Sequence, residues 1–217
     1  MNRKTAAEIT DRLMKEYPDA KPALHYSTVY ELLVAVMLSA QCTDERVNKV
    51  TEVLFARADT PEKMIGLPLE ELEKIIFSCG LYHSKAEHIL SASRDIVEKF
   101  GGQVPGNLED LRSLAGVGRK TANVVYSVGF HGDAIAVDTH VFRVSARIGL
   151  AKGKNPLDTE KKLMKILEQS KWYAMHHCLI YHGRRVCSAR KPACEECVLA
   201  DLCEYGKKQA EAKNGEK

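Results

Sequence analysis

Four cysteines, Cys187, Cys194, Cys197 and Cys203, fall within seventeen residues, and bringing them together forces the chain to fold back on itself over that stretch. Their spacing is Cys-x6-Cys-x2-Cys-x5-Cys. Four soft thiolates suit tetrahedral zinc or an iron-sulfur cubane. The usual zinc layout has two Cys-x2-Cys pairs and only one is present, and the spacings match none of the common ferredoxin runs, so spacing names no metal. Unrelated buried thiols seldom crowd so closely, which makes ligation the expected role. The first ten residues, MNRKTAAEIT, carry charge without the apolar segment of a secretory signal. That predicts a reducing, cytoplasmic setting in which these cysteines are ligands and not disulfides. Cys42, Cys79 and Cys178 sit in apolar stretches or at a helix end and are expected to be buried thiols.

The rest of the chain reads as all-α, because the apolar residues recur at helical spacing and strict alternation over strand length is hard to find. Thr28 with Glu31 forms a capping box ahead of the apolar run Leu32–Leu38, and Ser84 with Glu87 suggests a second, ahead of a helix ending at Gly101 or Gly102. Pro61 and Pro68 are expected in first turns. Further helices are expected near 4–16, 44–57, 69–77, 108–114, 119–129, 139–148, 157–169 and 171–186, about ten short helices in all. The polar tail after Tyr205 is expected to fray. A length of 217 residues with 45% apolar content allows one domain or two small ones and excludes disorder. The stretch Leu32–Thr43, twelve residues without Asp, Glu, Lys or Arg, is too short for a spanning helix of about 20 residues, so no membrane partner is expected.

Two glycines one residue apart, Gly116 and Gly118, stand between predicted helices in Leu114-Ala-Gly-Val-Gly-Arg-Lys-Thr-Ala122. They permit a tight turn and leave the N–H groups at the start of the second helix open to an anion. This is no nucleotide P-loop, since Arg119 intervenes between Gly118 and Lys120 and no strand precedes it. The charge agrees with a polyanion. In the stretch 112–147, Arg112, Arg119, Lys120, Arg143 and Arg147 oppose only Asp133 and Asp138, and in 182–191 Arg184, Arg185, Arg190 and Lys191 meet no acid, on a chain whose formal net charge is only +3.

Lys120, at a helix start beside Arg119, has the surroundings that favour a neutral amine, and burial would push the same way. Such a lysine is a nucleophile suited to Schiff-base chemistry. Asp138, in Ala136-Val-Asp-Thr-His-Val-Phe-Arg143, is placed to cap the next helix and also to take a proton from an amine or steady developing positive charge.

At these residues the sequence resembles the endonuclease III family of helix-hairpin-helix DNA glycosylase/AP lyases. Five segments carry the resemblance, in the family's order and at its spacing: LLVAVMLSAQCTD (32–44), GLYHSKA (80–86), LAGVGRKTANVV (114–125), AVDTHVFR (136–143) and the four-cysteine loop. It implies a two-lobed fold. Residues 22–132 would form a six-helix barrel domain with the helix-hairpin-helix at about 108–127. Residues 1–21 and 133–205 would form a cluster domain whose loop 187–203 holds a 4Fe-4S cluster on the four cysteines, leaving 206–217 as a polar tail. The implied activity is removal of oxidised pyrimidines from double-stranded DNA, and cleavage at abasic sites, in base excision repair. Lys120 would attack the sugar and Asp138 would activate it. Gln41 and Leu81 would fill the gap left by a flipped nucleotide. Gly116, Gly118, Arg119, Thr121, His140, Arg143, Arg190 and Lys191 would contact DNA, and Asp44 would support the cleft. A monomer in the cytoplasm is expected, nucleoid-associated if the source is prokaryotic.

One departure is visible, Ala115 where the hairpin usually has proline, which removes a fixed φ angle. Two other readings compete. A monofunctional adenine-mismatch glycosylase would lack the nucleophilic lysine, but Lys120 is present and Ala35 stands where its catalytic glutamate would be, and no further recognition domain is expected after the cysteines. A non-enzymatic iron-sulfur DNA-binding or electron-transfer protein would leave Lys120 and Asp138 incidental.

Overall fold

The computed structural model describes the backbone of residues 1–215 and side chains through Glu211. The described residues contain helices and no strand. In chain order the α-helices are α1 (Arg3–Glu16), α2 (Val29–Leu38), α3 (Asp44–Phe55), α4 (Pro61–Ile65), α5 (Leu69–Ile76) and α6 (Tyr82–Phe100). They continue with α7 (Leu108–Ser113), α8 (Arg119–Gly129), α9 (Thr139–Ile148), α10 (Pro156–Ile166), α11 (Trp172–Arg185) and α12 (Glu204–Gly215). Single 3-10 turns span Gln169–Lys171 and Cys194–Glu196. The all-α expectation is borne out.

The chain divides into two compact units, Pro22–Gly132 and Met1–Lys21 with Asp133–Lys217. The first is built around α2, whose sequence VYELLVAVML is apolar apart from Glu31 and buried from Tyr30 to Leu38, as a central helix must be. Leu54, Met64, Leu72, Ile76, Ile89, Ile96 and Leu111 from the surrounding helices close over it. Gly129 on α8 lets that helix approach α2, since a Cβ there would lie 2.9 Å from Val29. In the second unit α1, α9 and α11 pack through Ile9, Leu13, Val141, Val144, Met175 and Leu179. Cys187 and Cys203 join that core.

Helix starts follow local chemistry. Thr28, Thr43, Thr60, Asn107, Asp138 and Asn155 each accept a hydrogen bond from a first-turn N–H of the helix they precede. Four sequence expectations need correction. Ser84 caps nothing, because α6 begins earlier, at Tyr82, after Leu81 turns the chain with φ of 60°. Pro68 sits at the cap position of α5, one residue outside the first turn. The helix expected over 157–169 ends at Ile166, where Leu167 becomes extended. The tail is helical from Glu204 to Gly215. Its Lys, Gln, Ala and Glu are strong helix formers, a preference that the polar reading undervalued. Residues 216 and 217 of that tail lie outside the described residues.

Candidate functional site

The hairpin is closed by a Val117 N–H to Leu114 carbonyl bond of 3.1 Å. Gly116 has φ of +72°, and a Cβ there would press within 2.8 Å of His88 Cβ, so conformation and space both demand glycine. Gly118 differs. Its φ is ordinary and, among the described residues other than its two chain neighbours, no atom lies within 4 Å of the place a Cβ would take, so nothing internal requires glycine there. Open space in front of Gly118 suits close approach by another molecule. Gly118 caps α8 without a side-chain bond, and the first turn of α8 contains no acid. The helix therefore presents its positive end outward. Arg119 and Lys120 are exposed and Thr121 is half-buried. Burial, a contribution the sequence left open for Lys120, is thus absent in the free chain.

Gln41 and Leu81 share an uncommon backbone state. Both have left-handed φ angles, 55° and 60°, which side-chain-bearing residues adopt at a cost of order 1–3 kcal/mol. Leu81 is 61% exposed, a large apolar side chain held out in solvent at the start of α6. The two turns adjoin, since a Cβ on Gly80 would lie 3.6 Å from the Gln41 carbonyl oxygen. Lys85 fastens them. Its backbone N–H donates to the Leu81 carbonyl at 3.0 Å, while Nζ donates to the Leu38 and Ala40 carbonyls at 2.8 and 2.7 Å. The Leu38 carbonyl ends α2, and that of Ala40 lies just beyond its cap residue Ser39. Lys85 is 6% exposed, and that desolvation lowers its pKa. The sequence reading missed this residue, although Lys85 falls in phase with Ile89, Ala92 and Ile96, where a lysine on an apolar face needs a reason. Asp44 opens α3, half-buried, just after the Thr43 cap.

In the second unit Asp138 caps α9, its Oδ1 accepting from the Val141 N–H at 2.7 Å. His140 follows, half-buried, its pKa lowered chiefly by burial and only partly restored by Asp138. Arg143 turns inward. It donates to the Gly183 carbonyl at 2.9 Å and to the Cys187 carbonyl at 3.2 and 3.3 Å, and Nη2 lies 3.2 Å from His140 Nδ1. Arg147 donates to the carbonyls of Ser188 at 2.6 Å and Ala189 at 2.7 Å. Two arginines that the charge count assigned to an outward patch thus hold the backbone of the cysteine loop. Arg190 and Lys191, carried by that loop, are exposed.

The four cysteines suit thiolate ligation. Cys187, Cys194 and Cys203 all act electrostatically on Cys197, so the four converge. Backbone N–H groups of Leu199 and Gly206 point at Cys197 and Cys203 sulfur, each at 3.4 Å, and Arg147 Nη1 lies 3.5 Å from Cys187 sulfur. These donors favour anionic sulfur. Among the described residues no three His, Cys, Asp or Glu side chains form a single-ion site. A polynuclear cluster spreads its ligands more widely than one ion does. Also among the described residues, no helix is long and apolar enough to cross a membrane.

Residues 34–169 match the HhH-GPD superfamily of base excision DNA repair proteins, and residues 187–203 match the iron-sulfur binding domain of endonuclease III. Endonuclease III of Haemophilus influenzae is 49% identical over 208 residues, covering 96% of this chain and 99% of the relative. That of Escherichia coli is 46% identical over the same shares. A solved structure of a trapped endonuclease III–DNA covalent intermediate superposes with a TM-score of 0.93 at 46% identity, covering 97% of this chain and 99% of the other. With a helical fold, a glycine hairpin opening onto Lys120 and a loop of four convergent thiols, the chain belongs to the endonuclease III family of the HhH-GPD base excision DNA repair superfamily, and its cofactor is an iron-sulfur cluster.

Proposed function

We propose that the chain is a bifunctional DNA glycosylase and AP lyase that removes oxidised pyrimidines from duplex DNA, working as a monomer in the cytoplasm. The observation that carries this reading is Lys120, an exposed amine on the uncapped first turn of α8, beside N–H groups that can seat a phosphate. The solved covalent DNA intermediate of a relative 46% identical supports a covalent route.

In this reading the neutral Lys120 amine attacks C1′ of an extruded nucleotide. The Nζ–C1′ bond forms, the glycosidic bond breaks, and the base leaves with the bonding pair and gains a proton. The ring C–O bond at C1′ then breaks, the ring oxygen takes up the remaining amine proton, and a Schiff base is left. The imine acidifies C2′, whose proton is lost as the 3′ C–O bond breaks, and one water then releases Lys120. Asp138, with one carboxylate oxygen fixed by the Val141 N–H, accepts the amine proton and steadies the cation. Gln41 and Leu81 occupy the gap in the stack, their strained turns holding both side chains ready. Gly116, Gly118, Arg119 and Thr121 seat the backbone phosphate, and Arg190 and Lys191 take further phosphates. His140, Arg143 and Asp44 support these contacts, Arg143 by shaping the loop. The four cysteines, Cys187, Cys194, Cys197 and Cys203, hold the cluster, which supplies structure and not group transfer. The barrel and cluster domains are assigned to the units 22–132 and 1–21 with 133–205.

The test is borohydride trapping on a duplex containing one thymine glycol. Wild type is expected to give a covalent protein–DNA adduct, and Lys120→Gln, with fold and metal content verified, none. A folded wild type that traps neither this duplex nor an abasic control overturns the reading.

A further inference from the structure

A buried chain of hydrogen bonds runs from α1 to the cysteine loop. The Tyr17 hydroxyl lies 3.0 Å from His182 Nδ1, and His182 Nε2 lies 3.5 Å from Cys197 sulfur. Tyr17 and His182 are 5% and 1% exposed, so water does not compete for the contact between them, and Cys197 is half-buried. A histidine so placed has two neutral tautomers, and the ligand decides between them. A thiolate that binds iron has no proton to give, so Nε2 must carry the hydrogen and donate it. Nδ1 is then an acceptor, and among the described residues the donor offered to it is the Tyr17 hydroxyl. Burial pushes the Tyr17 phenol up to about 12, so it keeps its proton. The Arg185 guanidinium lies over the Tyr17 ring at 5.8 Å and over the Tyr181 ring at 4.8 Å, a cation that strengthens the phenol as donor.

We infer that Tyr17 and His182 form a relay that donates a hydrogen bond to Cys197 and thereby raises the reduction potential of the iron-sulfur cluster and protects it from oxidation. Hydrogen bonds to cluster sulfurs draw electron density from iron and are a principal means by which a protein sets cluster potential. Consecutive bonds of this kind also reinforce one another, so the Tyr17 O–H makes the distant Nε2–H a better donor. Neither residue carries an assignment in the DNA reaction, and the relay stands on the cofactor alone.

The experiment uses the full chain with its cluster and no DNA. Ferricyanide removes one electron per oxidation event, and the decay of the visible cluster absorbance is followed alongside midpoint potentials by titration. Replacing His182 by Phe is expected to speed the decay roughly tenfold and Tyr17→Phe two- to threefold, each with a lowered potential. Tyr181→Phe is the control. Its ring lies 6.1 Å from that of Tyr17, but its hydroxyl reaches only toward the Lys21 carbonyl, so no change is expected. In the His182→Phe background, Tyr17→Phe should add nothing, an outcome that a mere packing role would not produce. The inference is overturned if Tyr17→Phe matches wild type in both readouts, or if its effect persists in full without His182. Should His182→Phe fail to load its cluster, the near-isosteric Tyr17→Phe still decides.

Discussion

The two units use their cations in opposite ways. In Pro22–Gly132 the groups with chemistry to offer face outward: Lys120 and Arg119 are exposed, Leu81 stands in solvent, and α8 starts without a cap. The inward cation there, Lys85, holds the two turns that carry Gln41 and Leu81. In the other unit Arg143 and Arg147 are occupied with the carbonyls of Gly183, Cys187, Ser188 and Ala189, and the loop's tip presents Arg190 and Lys191. One unit displays its proposed reactive groups directly. The other spends charge on holding a loop that does the displaying. Counting basic residues along the sequence therefore overstates the surface charge of the second unit at Arg143 and Arg147, as it does that of the first at Lys85.

The units should also part company in acid, and this is the largest effect expected. Among the described residues the buried histidines, His176, His177 and His182, all belong to the cluster-bearing unit. His177 is 4% exposed, packs on the Tyr173 and His176 rings, and its Nε2 has no hydrogen-bond partner. Burial first, then the neighbouring His176, lowers its pKa from 6.5 to about 3. Between those values the unfolded chain binds a proton that the folded chain refuses, so stability is full above pH 6.5 and falls as the pH drops through the window. The slope is at most about 1.4 kcal/mol per pH unit for one such group. Hydrogen exchange followed by mass spectrometry from pH 6.5 to 4.5 should show α11 losing protection ahead of α2, and His177→Phe should flatten that loss. Equal loss in both units would break the contrast.

Lys85→Met comes next. It strips the Leu38 and Ala40 carbonyls of their donor while removing a buried charge, and the balance is a destabilisation of about 2 kcal/mol, measurable by urea unfolding. Exchange protection should fall around residues 38–43 and 81–85 and hold in α9 and α11. Unchanged stability would mean that the α2 terminus does not depend on this lysine.

Much of this was legible from residue order. Thr28 and Asp138 announced helix starts because a cap is a contact between near neighbours. The four cysteines announced a metal site because their crowding is itself improbable. Lys120 and the open hairpin could be read locally, as could the need for glycine at Gly116, though its second cause, the packing of His88, is a long-range fact. Gln41 and Leu81 were reached only through resemblance, since a left-handed φ at a residue with a side chain has no local signature. The inward course of Arg143 and Arg147 was hidden for a related reason. An arginine's fork finds carbonyls about 40 residues away, and nothing in the intervening sequence marks which cations will be used so.

The smallest effect separates those two kinds of arginine. Arg190→Met should weaken duplex binding a few-fold and reduce the slope of log affinity against log salt by about one, because one phosphate contact and its released counterion are lost. Arg147→Met should leave that slope alone. Its guanidinium serves Ser188 and Ala189 and lies over the Tyr205 ring at 4.8 Å, so its loss should instead loosen residues 187–203 and hasten loss of the cluster absorbance. Fluorescence anisotropy across a salt series, with cluster content checked in each sample, distinguishes the two. If Arg147→Met retains its cluster and still lowers the slope by one, that guanidinium leaves its carbonyls to meet phosphate when DNA binds, and the division between loop-shaping and displayed cations fails at the residue where it is drawn most sharply.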